Sequence, residues 1–85
     1  MDAAGAIQRA KLAIAELFAE EGPFNIALEE VSRDGDKWIV TISFSRKWDS
    51  YGGSIAGVLK PSRVAKYVKI DDDGSLLEIK SASPF

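Results

Sequence analysis

Few residues in this chain have the types and spacing to do chemistry. Gly52-Gly53-Ser54-Ile55-Ala56-Gly57 has the glycine spacing of a phosphate loop, but Val58-Leu59 stand where a lysine and a hydroxyl residue must reach phosphate and magnesium. Ser54 also fails as a nucleophile elbow, because Ala56 replaces the closing glycine and no histidine exists to act as its base. Asp71-Asp72-Asp73 supplies oxygen ligands, yet a calcium loop spaces its acids alternately and closes on a distant glutamate; a contiguous triplet before Gly74 reads as a solvated turn. Glu29 with Glu30 and Glu20 with Glu21 are sequence neighbours, so on a strand the first pair points to opposite faces and cannot share a proton. With no cysteine, thiolate catalysis, disulfides and Cys-ligated zinc are closed as well. The expectation is a non-enzyme with no cofactor and no metal site.

Charge is distributed more tellingly than any motif. The formal total is −2 and the sequence pI about 5.0. From Arg46 to Lys69, however, six bases (Arg46, Lys47, Lys60, Arg63, Lys66, Lys69) face one acid, Asp49, which is a net +5 and leaves −7 for the remainder. Trp48, Tyr51 and Tyr67 are interleaved with those bases. Such a surface stacks on nucleobases or holds acidic and phosphate groups. Arg46, Lys47, Trp48, Tyr51, Lys60, Arg63 and Tyr67 are therefore the candidate partner-binding residues, with Trp48 and Tyr51 as apolar anchors and Arg46, Lys47 and Arg63 steering an anionic partner. The competing use of Trp48 is to fold back and close the core.

These residues need elements to position them. Eighty-five residues, 46% hydrophobic and 28% charged, make one soluble domain, residues 1–85. Ala3, Ala6, Ile7, Ala10, Ala13, Ile14, Leu17 and Phe18 recur at helical spacing, which predicts a helix over about 3–21, opened by Asp2 and closed by Gly22-Pro23. Leu12 falls on its polar side. After Pro23 the period becomes two, giving a hairpin over about 24–45. A three-residue loop Arg33-Asp34-Gly35 would pair Leu28 with Val40, Ile26 with Ile42 and Phe24 with Phe44 on the inward face. A long loop over about 46–63 follows, then a second hairpin over about 64–80. There a turn at Asp73-Gly74 would pair Ile70 with Leu77 and Val68 with Ile79 inward, and Lys69 with Glu78 outward. Lys66 is the misfit, pointing inward by alternation; it either snorkels at the sheet's end or starts the strand irregularly. The fold class is α+β, one N-terminal helix packed on a four-stranded antiparallel meander.

The helical run Ala6-Ile7-Gln8-Arg9-Ala10 and the strand-turn-strand phrase from Tyr67 through Asp71-Asp72-Asp73-Gly74 to Ile79 resemble the PepSY-like, cystatin-like small bacterial domains. That resemblance implies a non-catalytic binding module and carries over no functional residue. The N-terminus has no basic signal-peptide region, and an apolar run such as Ile55 to Leu59, which no other exceeds in length, falls far short of the ~20 residues that span a bilayer. The expectation is a cytoplasmic interaction module without a membrane segment, its partner an unidentified protein or a second copy. It would use the 46–63 loop and the outward sheet face, or an exposed edge strand, Phe24 to Ser32 or Ser75 to Lys80. A nucleic-acid or phosphate-ligand binder using the same loop is the alternative.

Overall fold

The computed structural model describes residues 1–46 and 63–82. Helix α1 spans Ala3–Leu17, a single 3-10 turn spans Ala19–Glu21, and four strands follow: β1 Pro23–Asp34, β2 Lys37–Arg46, β3 Arg63–Asp71 and β4 Leu76–Ser81. The strands form one antiparallel sheet in the order β1-β2-β3-β4, with the helix on one face, so the α+β meander read from the sequence is the observed architecture. No helix among the described residues is long and apolar enough to cross a membrane.

Asp2 caps α1, its Oδ1 accepting the Gly5 N–H at 2.8 Å. The helix stops at Leu17, short of the expected Glu21, because Phe18 leaves helical geometry (φ −111°, ψ 23°) before the 3-10 turn ends on Gly22 at φ 60°. The break lets the Phe18 ring meet Phe44, centroid to centroid 5.8 Å. Ala6 and Ala10 are buried in one cluster with Val40, Ile42, Phe44, Val68 and Ile70, and their small side chains let the α1 backbone lie close over the sheet; Ala13 is buried on the same helix. Leu12 is 53% exposed on the far side.

The first hairpin differs from the expected register. Its loop is the two-residue turn Gly35-Asp36, with Asp34 opposite Lys37 and Gly35 at φ 64°, which suits a glycine-first hairpin turn. Two irregularities in β1, between Phe24 and Ala27 and between Leu28 and Glu30, then shift the pairing along the strand. Val31 thus faces Val40 and packs on the core, Leu28 faces Ile42 but stays 38% exposed on the edge strand, and Phe24 faces Ser45 instead of Phe44 and is 39% exposed. The expected pairing placed the turn at Arg33-Asp34-Gly35; turning at Gly35-Asp36 moves the register by three residues next to the turn, and each irregularity farther along β1 takes one residue back.

In the second hairpin Val68–Ile79 and Lys69–Glu78 pair as expected, but Ile70 faces Leu76, and Leu77 is the bulged residue, 44% exposed. Lys66 sits in regular pairing opposite Ile42 and snorkels: Nζ donates to Ser81 Oγ at 3.0 Å and lies 5.2 Å from the Phe18 ring centroid. At the other end of the sheet Arg33 joins the two turns, its guanidinium 3.1 Å from Asp72 Oδ1 and 4.5 Å from the Trp38 ring centroid.

The acidic turn is an internally bonded device. Hydrogen bonds from the Ser75 side chain and from its N–H, 2.8 Å from Asp73 Oδ1, hold the Asp73 carboxyl below its ordinary 3.8. A lowered folded pKa means that this carboxylate's contribution is complete above the ordinary value and is lost as pH falls through the folded one. The Ser75 amide resonance is therefore expected to titrate with a midpoint below 3.8, and Asp73→Asn to abolish that titration. A midpoint at or above 3.8 would reject this account of the turn.

Candidate interaction surface

Alternation sends Trp38, Val40, Ile42 and Phe44 of β2 toward the helix and Ile39, Thr41, Ser43 and Ser45 to the other face. The cross-strand register sets Arg63, Ala65, Tyr67 and Lys69 of β3 beside the latter group, and Glu78 and Lys80 of β4 beyond them. No helix covers this outer face among the described residues.

The outer face has two unlike halves. Toward the end where β2 finishes and β3 begins it is a polar lattice. Arg63 reaches across β2, Nη2 donating to Asn25 O at 2.6 Å and to Ser43 Oγ at 3.0 Å, Nη1 to Ser45 Oγ at 3.3 Å. Ser43 Oγ in turn donates to Glu29 Oε1 at 2.9 Å. Asn25 has φ 53°, so this guanidinium binds the carbonyl of a residue in the left-handed region, beside the first β1 irregularity. Arg63 acts here as a clamp between β3 and β1. Arg46, close by, pairs with Glu21 at 3.3 Å. The two arginines, Lys66 and Ser81 line one cavity of about 300 Å³ at this end of the sheet.

Toward β4 the face is a shallow hollow of about 210 Å³ lined by Ile39, Tyr67, Lys69, Glu78 and Lys80. Tyr67 is 42% exposed. Lys80 Nζ lies 3.0 Å from Glu78 Oε1, an exposed pair worth at most ~1 kcal/mol that leaves both charges accessible. An aromatic ring and an aliphatic side chain ringed by both signs of charge suit a polypeptide surface.

Of the candidate residues, the structure brings Arg46 and Arg63 together and sets Tyr67 apart on the hollow. Lys47, Trp48, Tyr51 and Lys60 lie outside the described residues. The candidate residues do not include Ile39, Lys69, Glu78 or Lys80, although the outward pairing of Lys69 with Glu78 is a signal that places two of them on this face. Comparison with protein-family models, with curated proteins and with solved structures finds no match for the chain.

Proposed function

We propose that this chain is a non-enzymatic interaction module that binds a protein partner through the outer face of its sheet, with Tyr67 and Ile39 as the apolar anchor. The observation that carries the reading is the half-exposed tyrosine beside a hollow on a face that no described helix covers. Lys69 and Lys80 give the hollow a cationic rim with Glu78 between them, which favours a partner segment carrying acidic groups beside an apolar side chain. The resemblance to PepSY-like, cystatin-like domains supports a binding role, and the absence of histidine and cysteine fits a module without catalytic duty in a reducing, cytoplasmic setting. Lys47, Trp48, Tyr51 and Lys60, in the basic and aromatic sequence between β2 and β3, are proposed as further partner-binding residues on the strength of the sequence alone.

Ile39→Thr with Tyr67→Thr tests the hollow, because threonine keeps strand propensity while removing the anchor. Partners captured by the unmodified chain are expected to be lost with the double variant, with thermal unfolding nearly unchanged; equal capture by both chains would reject the hollow. Trp48→Ala with Tyr51→Ala is expected to act the same way, and a large fall in melting temperature would instead assign Trp48 to the core.

One observation favours a second reading. Arg46, Arg63 and Lys66 line a single cavity, as an anion or phosphate site requires. Against it, Arg63 spends its donors on Asn25, Ser43 and Ser45, and Arg46 is paired with Glu21. Single-stranded oligonucleotide binding that falls steeply with salt would establish this reading, and no binding at low ionic strength would remove it.

A further inference from the structure

The open edge of β4 carries information that the outer face does not. Ala82 N donates to Ala65 O at 2.9 Å, and these two residues continue the register Lys66–Ser81. Antiparallel pairs alternate between bonded and non-bonded, so Tyr67–Lys80 and Lys69–Glu78 exchange hydrogen bonds while Val68–Ile79 and Lys66–Ser81 do not. The main-chain N–H and C=O of Ile79 and Ser81 therefore point away from β3, along an edge that pairs with no described strand. The opposite edge is poorly suited to pairing: β1 begins at Pro23 and has two irregularities.

We propose that β4 pairs antiparallel with β4 of a second copy of this chain, about a two-fold axis through Ile79, joining the two sheets into one. The side chains select the occupant and the register. With Ile79 opposite the partner's Ile79, the two exchange a pair of main-chain hydrogen bonds in the plane of the sheet, and their side chains meet on the helix side, where Ile79 already packs on the core. On the outer side Glu78 then faces the partner's Lys80, and Lys80 faces the partner's Glu78. These are non-bonded positions, where opposing side chains come closest and opposite charges help most. The neighbouring registers that keep the same main-chain groups in contact set Glu78 against the partner's Glu78, or Lys80 against the partner's Lys80. One register makes two favourable pairs and its neighbours oppose like charges, so the strand complements itself in that register alone. Helix α1 packs chiefly on β1, β2 and β3, which leaves this edge open to a second chain. This interface shares Glu78 and Lys80 with the hollow of the outer face, but its main-chain pairing runs along the edge of the sheet and it is read by self-association, not by capture of a protein partner.

Sedimentation velocity over a concentration series, from micromolar to millimolar, tests the interface. The unmodified chain is expected to pass from monomer to dimer. Lys80→Glu lies opposite Tyr67 within the chain, is exposed, and opposes like charges twice across the seam, so dimerisation is expected to weaken by about tenfold or more. Mixing Lys80→Glu chains with Glu78→Lys chains is expected to restore a dimer of the two unlike chains, and the double exchange Glu78→Lys with Lys80→Glu to restore the homodimer. A chain that stays monomeric throughout the series overturns the proposal. So does a dimer that Lys80→Glu leaves unchanged, or one that neither the mixture nor the double exchange restores. Circular dichroism of each variant separates loss of pairing from loss of fold, and if Glu78→Lys fails to fold, Lys80→Glu alone decides.

Discussion

Phe44→Ala is expected to lower the free energy of unfolding by about 3–5 kcal/mol, the cost of deleting a large, fully buried aromatic side chain. Phe44 has no exposed surface, faces Val64 across the β2–β3 ladder and meets Phe18 at 5.8 Å. The loss therefore spreads beyond one cavity. Phe18 is the residue at which α1 gives way to the 3-10 turn, and its ring also carries the Lys66 ammonium at 5.2 Å. Without Phe44 the turn loses its apolar partner and Lys66 its platform. A domain of this size has total stability of about 5–15 kcal/mol, so the variant is expected to unfold at a much lower urea concentration with an unchanged slope. A loss below about 1 kcal/mol would mean that the helix and sheet do not meet at this ring.

Ala10→Leu is expected to cost about 1–3 kcal/mol although it adds apolar surface, because it overpacks a closed contact. Ala10 is fully buried in the cluster with Val40, Ile42 and Val68, and α1 can lie close to the sheet only while that position stays small. The larger side chain must push the helix outward, which also loosens Ala6, Ala13 and Ile14. Leu12→Ala, on the exposed side of the same helix, serves as the control and is expected to change stability by less than ~0.5 kcal/mol. Equal responses at the two positions would contradict the assigned orientation of the helix.

The parts of the fold legible in the sequence were those set by one period held over a whole element. The helical spacing of Ala6, Ala10, Ala13 and Ile14 and the alternation Trp38, Val40, Ile42, Phe44 each name the buried face, and the structure buries these residues or, for Trp38, packs it partly buried against the core. Lys69–Glu78 and Val68–Ile79 were legible for the same reason. The β1–β2 register was not, because the chain reverses at Gly35-Asp36 instead of Arg33-Asp34-Gly35, and bulges then change the count of residues between paired positions without changing composition. Nothing in Phe24 to Glu30 announces that Asn25 will adopt φ 53° or that a guanidinium from β3 will bind its carbonyl. Arg63 shows the same limit for the surface. As one base among six in a basic segment it reads as a steering charge, and only the three-dimensional pairing of β1, β2 and β3 reveals its role as a clamp. The bulge at Leu77 likewise moved the partner of Ile70 by one residue and left a leucine 44% exposed.

The measurement that bears most directly on the outer face as a binding surface is photo-crosslinking in cells, with a photoreactive phenylalanine analogue replacing Tyr67 in one chain and Leu12 in another. Tyr67 is 42% exposed on the hollow and Leu12 53% exposed on the helix, so the two probes are comparably accessible and differ in the face they report. The account predicts a discrete adduct from position 67, at a mass other than twice that of the 9.2 kDa chain, and no matching adduct from position 12. No adduct at position 67, an adduct only with a second copy of the chain, or the same adducts from both positions would contradict it.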